Sequence, residues 1–288
     1  MSGTHAIKLI AVDIDGTLLS SKHELGTRTK EALQKAMAAG IKVMLATGKT
    51  FYSARDLYPT LGLTTPGVFN QGTIIHNPDG SIRHQQMLPV PILRRIIPFV
   101  ESRGFCVIVY SGQRLLVRQE DPRADLTRYH EPRPEAIGAL TNALGSVAFN
   151  KLIIVGNDAA SARAMHWQLG KMVNGEVALT FAGIPNQFEV LPLGVSKGKA
   201  VMAAAKEMGI ALSAVMGIGD ADNDSDLISM AGLGIAMGNA PEHIRALARH
   251  VVASSDEDGV AEAIERYVLT QPSAPAAEPT PQGEASDA

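Results

Sequence analysis

The stretch DIDGTLL, residues 13–19, follows directly on the apolar run AIKLIAV at residues 6–12. The length and composition of that run predict a strand buried inside a sheet. Asp13 and Asp15 then come at the end of the strand, on the same side of the chain, and Gly16 lets the backbone turn after them. Two acids at the carboxyl end of a strand repel each other unless they share a cation or a proton. The pattern therefore favours a Mg²⁺ site with one acid free for chemistry; a surface turn rich in Asp and Gly is the alternative.

The composition describes a globular chain with enough apolar material for a sizeable core. A length of 288 residues, of which 45% are hydrophobic, predicts roughly two domains. The net charge of −3 gives no sign of a surface for nucleic acid or for an anionic membrane. The single cysteine, Cys106, excludes an internal disulfide and predicts a buried thiol in a reducing compartment. The first apolar run is too short to span a membrane, so we expect a cytoplasmic protein.

The first quarter of the chain alternates between strand and helix signals. After the first strand, apolar residues at helical spacing predict a helix over residues 27–39, and Gly40 stands at its end. The remaining predicted elements are a strand over 41–46, a helix over 51–61 and a strand over 67–70. This order is typical of a parallel, doubly wound sheet.

From about residue 83 the pattern changes to paired strands. Pro98 is expected to kink or shorten a helix over residues 91–103, and residues 120–134 read as an irregular connection. Further strands are predicted over 105–110, 114–119, 148–155, 176–181 and 187–191, with a helix over 159–172. Together these elements indicate an inserted α+β unit over residues 83–191.

The alternating pattern then resumes. Ser196 can cap a helix over residues 197–208. Strands over 214–218, 234–237 and 251–253 and a closing helix over 259–268 follow. We expect residues 1–82 and 192–270 to form one α/β domain, and the Pro- and Ala-rich residues 271–288 to be a disordered tail.

Four distant segments should meet at one edge of this sheet. Asp13 and Asp15, Thr47, Lys197 and the acids at residues 220–224 each lie at the carboxyl end of a strand or the amino end of a helix. A phosphoryl group in transfer spreads negative charge over its oxygens, so its catalysis needs positioning and charge balance. A hydroxyl, backbone N–H groups, an ammonium and a Mg²⁺ ion would supply both. The set therefore predicts a phosphoryl-transfer site.

These motifs resemble the haloacid dehalogenase (HAD) superfamily, and within it the Cof-like sugar-phosphate phosphatases. DIDGTLL at 13–19, ATGK at 46–49, GVSKGKA at 194–200 and GIGDADNDSDLI at 217–228 are similar to the four motifs of that superfamily, in the same order. The large insertion between the second and third motifs also fits this branch. The resemblance implies a Rossmann-like core carrying an α+β cap that closes over the site and selects the substrate.

The resemblance also implies roles for the two acids of the first motif. Asp13 would be the nucleophile that accepts the phosphoryl group as an aspartyl-phosphate. Asp15 would protonate the departing alkoxide and later deprotonate the attacking water.

The other motifs would hold phosphate and metal. Thr47, Gly48, Lys197 and Asn223 are expected to bind the phosphoryl oxygens. Asp220 would complete the Mg²⁺ shell with Asp13 and the main-chain carbonyl of Asp15, and Asp224 would support lysine or metal from one step behind.

Two residues depart from the pattern of the branch. Lys49 stands where arginine is usual, which removes a bidentate anion contact. Gln71 interrupts the usual Asn-Gly pair after the third strand, so the role of Asn70 stays open. Both departures bear on the substrate more than on the reaction.

Several other residues have simple structural interpretations. Lys199, Asp222 and Asp226 are expected on solvated or capping positions, Trp167 in packing, and the histidines on the surface or in caps, since they lack metal-ligand spacing. Glu189 is either a hinge contact or an edge charge. Some cations of the insertion could grip a substrate, although most should be solvated: Arg114, Arg118, Arg128, Arg133 and Lys151.

The sequence thus predicts a Mg²⁺-dependent phosphatase of small phosphorylated metabolites, most of all sugar phosphates. A phosphomutase on the same core, or a non-catalytic phosphate-binding regulatory protein, are the alternatives. No nucleic-acid or membrane partner is expected, and the protein should be a monomer or a homodimer.

Overall fold

The computed structural model describes residues 6–181 and 183–270, so the predicted tail lies outside the described residues. The strands are β1 (Leu9–Val12), β2 (Lys42–Leu45), β3 (Gly67–Phe69), β4 (Ile74–His76), β5 (Ile82–Gln85), β6 (Cys106–Ser111), β7 (Arg114–Val117), β8 (Glu135–Ala136), β9 (Lys151–Val155), β10 (Ala178–Thr180), β11 (Gln187–Leu191), β12 (Val215–Gly219), β13 (Leu233–Ala236) and β14 (His250–Val251). The α-helices are α1 (Thr27–Ala38), α2 (Phe51–Ala54), α3 (Leu57–Leu61), α4 (Val90–Glu101), α5 (Ala159–Val173), α6 (Lys197–Glu207), α7 (Ser225–Met230), α8 (Glu242–Arg245) and α9 (Gly259–Ile264), and a π-helical turn, Glu265–Leu269, follows α9.

A five-stranded parallel sheet forms the core, in the order β14-β13-β12-β1-β2. β1 lies inside it, and Val12 is in register with Ile218 on one side and Leu45 on the other. Ile10 and Val12 pack into one hydrophobic cluster with α1 and α9, while Leu9 and Ala11 pack into another with α6. Burial on both faces explains why the strand reads as a continuous apolar run. The predicted α/β fold class is confirmed.

The third strand differs from the prediction. β3 joins the edge of the main sheet through a parallel bridge between Ala46 and Val68, and pairs instead in an antiparallel sheet with β4 and β5. Asn70 and Gln71 have φ values of 51° and 62°, which reverse the chain directly after β3. β5 is exposed at every position, so it carries none of the alternation by which half-buried strands are recognised.

Two prolines that lie within predicted helices have different effects on those helices. The predicted helix over 51–61 is split into α2 and α3, because Pro59 has no N–H to donate to the carbonyl of Arg55. α4 continues for three residues beyond Pro98, since its apolar face is buried in the cluster that contains Ile92 and Ile96. Packing there outweighs the lost backbone hydrogen bond.

The inserted unit, which we call the cap, is built on a six-stranded sheet in the order β10-β11-β9-β6-β7-β8. Its neighbouring strands are antiparallel except for β7 and β8. α4 and α5 cover one face of this sheet. Because side chains alternate along a strand, Leu152 and Ile154 of β9 face those helices, while Lys151 and Ile153 point to the other face. The domain boundaries stay a prediction; β5 crosses the one placed after residue 82.

Three residue environments can be compared directly with expectation. Cys106 is buried, as predicted, and burial raises the pKa of its thiol to about 12. Trp167 is 65% exposed, so its predicted packing role is wrong. His76 is fully buried against Phe51 and Phe69, which contradicts a surface position. Among the described residues, no helix combines the length and apolarity needed to cross a membrane.

Candidate active site

A cavity of about 530 Å³ lies between the carboxyl ends of the parallel strands and the open face of the cap sheet. The core side of its lining contains most residues that the sequence singled out: Asp13, Asp15, Thr47, Gly48, Lys197, Asp220 and Asn223. Asp224 lies beside them and is fully buried. The structure therefore brings together residues that are more than 200 positions apart in the chain.

Lys197 forms the centre of a buried charge cluster. Its Nζ lies 2.7 Å from Asp13 Oδ1 and 2.9 Å from Asp224 Oδ1. Lys197 is the first residue of α6, whose N-cap Ser196 accepts the N–H of Lys199. Gly198 permits this position, because a Cβ there would lie 2.4 Å from the backbone of Asp226. Lys199 itself is exposed.

The pKa values of this cluster reflect an excess of buried negative charge. Burial, together with the neighbouring Asp224, raises the pKa of Asp13 well above its usual value, although Lys197 opposes the shift. Burial alone would lower the pKa of Lys197, but the carboxylates of Asp13 and Asp224 outweigh it, so that pKa is raised. Burial also raises the pKa of Asp220 to about 6. The lysine therefore stays charged, while the acids lack a full counter-charge.

The carboxylates of Asp13, Asp220 and Asp224 are close enough to share a metal ion, with ligand oxygens within 4.8 Å of one another. Thr17 Oγ1 donates to Asp220 at 2.8 Å, and Asn239 Nδ2 donates to it at 3.2 Å. Carboxylate oxygens are the donors that Mg²⁺ prefers, so the residues present fit this ion.

The turn after β1 shapes this acidic pocket. Gly16 has a φ of +73°, and a Cβ on it would lie 2.4 Å from Asp220 Oδ2. Asp224 Oδ2 accepts the backbone N–H groups of Asp220 and Ala221, which fixes the other side. Because both oxygens of Asp224 already accept hydrogen bonds, we expect this residue to support the cluster more than to ligate metal.

Asp15 lies beside the cluster and not within it. Its Oδ1 is 2.7 Å from Lys49 Nζ and 3.4 Å from His23 Nε2. Its side chain is 37% exposed and lines the cavity, so it can meet a leaving group that enters from the cap side. Lys49, the departure in the second motif, thus pairs with an acid of the site.

The loop after β2 presents the predicted phosphate-binding hydroxyl. Thr47 is buried, and its N–H donates to Val68 while its Oγ1 accepts the N–H of Lys49 at 3.2 Å. Asn223 donates to Gln71 Oε1 at 3.1 Å, so the second departure from the family pattern also belongs to this site.

Of the cap residues that face this loop, the sequence singled out Lys151 and Glu189 without their pairing, and it missed Glu131. Lys151 is 1% exposed and pairs with Glu189 at 2.7 Å, although solvation was the more general expectation for cap cations. The signal was present, because opposite charges stand at inward-facing positions of two apolar strands. Glu131 gave no such signal, since it lies in an irregular Pro-rich segment. Arg114 and Arg118 instead pair at the cap surface, with Glu135 and Glu101.

Comparison with known proteins agrees with this geometry. The chain matches the haloacid dehalogenase-like hydrolases over residues 10–264. It is 28% identical over 278 residues to the phosphatase YwpJ of Bacillus subtilis, covering 88% of this chain and 98% of that protein. It is 26% identical over 273 residues to the 5-amino-6-(5-phospho-D-ribitylamino)uracil phosphatase YitU of the same bacterium, with coverage of 90% and 97%.

A plant protein and a solved structure complete the comparison. The chloroplastic endoribonuclease YBEY of Arabidopsis thaliana is 30% identical over 273 residues, which are 90% of this chain but only 46% of that longer protein. A haloacid dehalogenase-like hydrolase from Bacteroides thetaiotaomicron has a TM-score of 0.81 at 29% identity, covering 90% of this chain and 99% of the other.

The chain therefore belongs to the haloacid dehalogenase-like hydrolases. The predicted membership of this superfamily and of its Cof-like branch is confirmed, as is the prediction of an enzyme of this hydrolase type.

Proposed function

We propose that this protein is a Mg²⁺-dependent phosphatase that hydrolyses phosphomonoesters of small metabolites through an aspartyl-phosphate. The observation that carries the proposal is the buried cluster in which Asp13, Lys197, Asp220 and Asp224 converge at the base of the cavity. Relatives named as phosphatases over nearly their whole length support the same reaction.

Asp13 is the proposed nucleophile. It lies at the end of a buried strand, and its N–H donates to Ile218 at 3.0 Å, so its carboxylate has a fixed place. A carboxylate oxygen attacks phosphorus, the ester P–O bond breaks, and the phosphoryl group remains on Asp13. Water then attacks the same phosphorus and releases inorganic phosphate, which restores the carboxylate.

Charge balance is the second task of the site. Lys197, Thr47 and the backbone at Gly48 are proposed to hold the phosphoryl oxygens, with Asn223 at the rim. Asp13, Asp220 and the main-chain carbonyl of Asp15 would hold Mg²⁺, which when bound supplies positive charge against the phosphoryl oxygens. Thr17 and Asp224 keep Asp220 and Lys197 in place.

Asp15 is the proposed acid and base. It gives a proton to the departing alkoxide, which is a poor leaving group as an anion, and takes a proton from the water in the second step. The proton count thus balances over one turnover. Lys49 and His23 hold its carboxylate toward the cavity.

The cavity favours a small substrate. A volume of about 530 Å³ is typical of sites for metabolite-sized ligands, and the cap side of the lining includes polar groups such as Gln187 and Glu189. Sugar phosphates, with hydroxyls to engage such groups, are the proposed class.

The test is a panel of phosphorylated metabolites with phosphate release as the readout, in Mg²⁺ and in EDTA. We expect Mg²⁺-dependent phosphate release from at least one ester. In Asp13→Asn the rate of release should fall by about a thousandfold or more. Asp56→Asn, on a side chain 95% exposed, is the matched control and should keep full activity. Binding of esters without turnover would instead indicate a regulatory protein, and isomerised products without free phosphate would indicate a mutase.

A further inference from the structure

The cap contacts the phosphate loop of the core, residues 47–50, at two points. Lys151 Nζ, from the start of β9, donates to the carbonyl of Gly48 at 2.9 Å. Glu131 accepts both the N–H of Thr50 at 3.2 Å and its hydroxyl at 2.6 Å. Lys151 and Glu131 are 1% and 5% exposed, so these are buried charges with specific partners across the two units.

Two of the three N–H groups of Lys151 have hydrogen-bond partners within the protein. Besides Gly48, it contacts Glu189 Oε1 at 2.7 Å and lies 4.1 Å from the centre of the Tyr110 ring. The hydroxyl of Tyr110 donates to Glu131 at 3.3 Å, which joins the two contact points. Both hydrogen bonds go to the loop or to the cap itself, so they favour an orienting role for Lys151 over a direct grip of the substrate.

Gln71 secures this arrangement from the core side. Its Nε2 donates to Glu189 Oε2 at 3.0 Å, and its Oε1 accepts the amide of Asn223 at 3.1 Å. Its φ of 62° is rarely adopted by residues other than glycine, and such strained residues concentrate at functional sites. Its amide also lies against Gly48, where a Cβ would come within 2.6 Å of Nε2.

These contacts also determine the orientation of the Thr47 hydroxyl. The peptide between Gly48 and Lys49 is held at its carbonyl by Lys151 and at its N–H by Thr47 Oγ1. A hydroxyl that accepts one hydrogen bond still has its own O–H to donate. That O–H is therefore available to a phosphoryl oxygen.

We propose that Lys151, held by Glu189 and Gln71, is a positioning residue that orients the Gly48–Lys49 peptide and, through it, the Thr47 hydroxyl. Phosphoryl binding then depends on contact between cap and core. This inference rests on the proposed function, because it assigns the Thr47 hydroxyl to a phosphoryl oxygen.

The main test replaces the pair together, in the double variant Lys151→Met/Glu189→Met. Removing both charges leaves no stranded carboxylate, and apolar replacement of a buried pair is often neutral for folding. We expect calorimetry in Mg²⁺ to show inorganic phosphate binding weakened about tenfold. Because small displacements of a catalytic group can cost about 100-fold, kcat should fall by about 10- to 100-fold. The thermal midpoint should stay close to the wild-type value.

Two further variants make the test specific. Arg95→Met/Glu176→Met removes another cap ion pair, which is exposed, and should change neither phosphate affinity nor kcat. Gln71→Gly removes the side-chain link, but glycine readily adopts the positive φ of this position, so the variant should fold. We expect it to bind phosphate several-fold more weakly than the wild type. This variant decides the matter if the main double variant does not fold.

The outcomes separate the inference from the proposed function. Suppose that the wild type is active. If Lys151→Met/Glu189→Met then has the same phosphate affinity and kcat as the wild type, the inference is overturned and the proposed function is not. If the double variant does not fold, the same result in Gln71→Gly overturns the inference. A wild type that releases no phosphate from any ester would remove the proposed function. The inference would then be judged on phosphate binding, and equal affinities or no binding would overturn it as well.

Discussion

At the scale of single residues, the site is governed by an imbalance of buried charge. The ligand oxygens of three carboxylates lie within 4.8 Å, and Lys197 is the ammonium that touches two of them. When all are ionised, two negative charges remain without a partner. The proposed Mg²⁺ ion would supply the balance and would make this acidic cluster beside a buried lysine less unfavourable.

Asp15→Ala should separate substrates by their leaving groups. Alkyl phosphates need a proton on the departing oxygen, so their kcat/KM should fall by about 100- to 10,000-fold. Aryl phosphates release a stable phenolate that needs no proton, so their kcat/KM should fall far less. Steady-state kinetics on one ester of each kind, with Asp226→Asn as the control, makes the comparison. Equal losses for both esters would contradict the acid role of Asp15.

At the scale of elements, short turns at strand ends carry most residues of the proposed active site. The turn after β1 carries Asp13 and Asp15, the loop after β2 carries Thr47, and the turn after β12 carries Asp220. Buried parallel strands align these turns at one edge of the sheet. Gly16 lets the turn after β1 approach the turn after β12, because a Cβ on it would lie 2.4 Å from Asp220 Oδ2.

Two glycine substitutions isolate that effect. Gly16 and Gly62 have nearly the same positive φ, of 73° and 74°, so alanine at either costs about 1–2 kcal/mol of unfolding free energy. A Cβ at Gly16 would also meet Asp220 at 2.4 Å, whereas nothing lies within 4 Å of one at Gly62. We expect Gly16→Ala to raise the Mg²⁺ concentration needed for activity, and Gly62→Ala to leave it unchanged. The same requirement in both variants would show that Gly16 does not shape the metal site.

The sequence predicted correctly those helices and strands that a local pattern of apolar, capping and turn residues specifies. The strand before Asp13 and the helix that begins at Lys197 each combine an apolar period with a cap or a turn residue, and both occur as expected. β4, β5 and the split at Pro59 depend on long-range pairing or on one missing N–H, and the pattern did not show them. The positions of Glu131 and Lys151 depend on how the cap meets the core, which no local period encodes.

At the scale of the whole molecule, two units with separate hydrophobic clusters share one polar site. The core unit contributes the acids, from the ends of the parallel strands, and Lys197, from the start of α6. The open face of the cap sheet contributes Lys151, Glu189 and Tyr110. Buried polar contacts join the two units: Lys151 meets the carbonyl of Gly48, Glu131 meets the hydroxyl of Thr50, and Gln71 meets Glu189. Such contacts can be remade each time a substrate enters or a product leaves.

Mg²⁺ should therefore stabilise the folded protein. Binding to the native state alone at about 100 times its Kd adds about 2.7 kcal/mol, which corresponds to a rise of about 5–10 °C in Tm. We expect this rise over EDTA in differential scanning calorimetry of the wild type, and its loss in Asp220→Asn. Asp226→Asn, on a partly exposed acid of the same segment, should keep the full rise. An equal Mg²⁺ effect in wild type and Asp220→Asn would place the metal elsewhere.

The most direct test of the central claim is to find the phosphoryl group on Asp13. The protein is mixed with a reactive phosphomonoester in Mg²⁺, quenched in acid within one turnover and digested with pepsin at low pH, where an acyl phosphate survives. The peptide that contains Asp13 is then analysed by mass spectrometry. We predict one added phosphoryl group, assigned to Asp13 by fragmentation, and none in Asp13→Asn. Substrate turnover with this peptide unmodified at every quench time, or with the label on Asp15, would contradict the account.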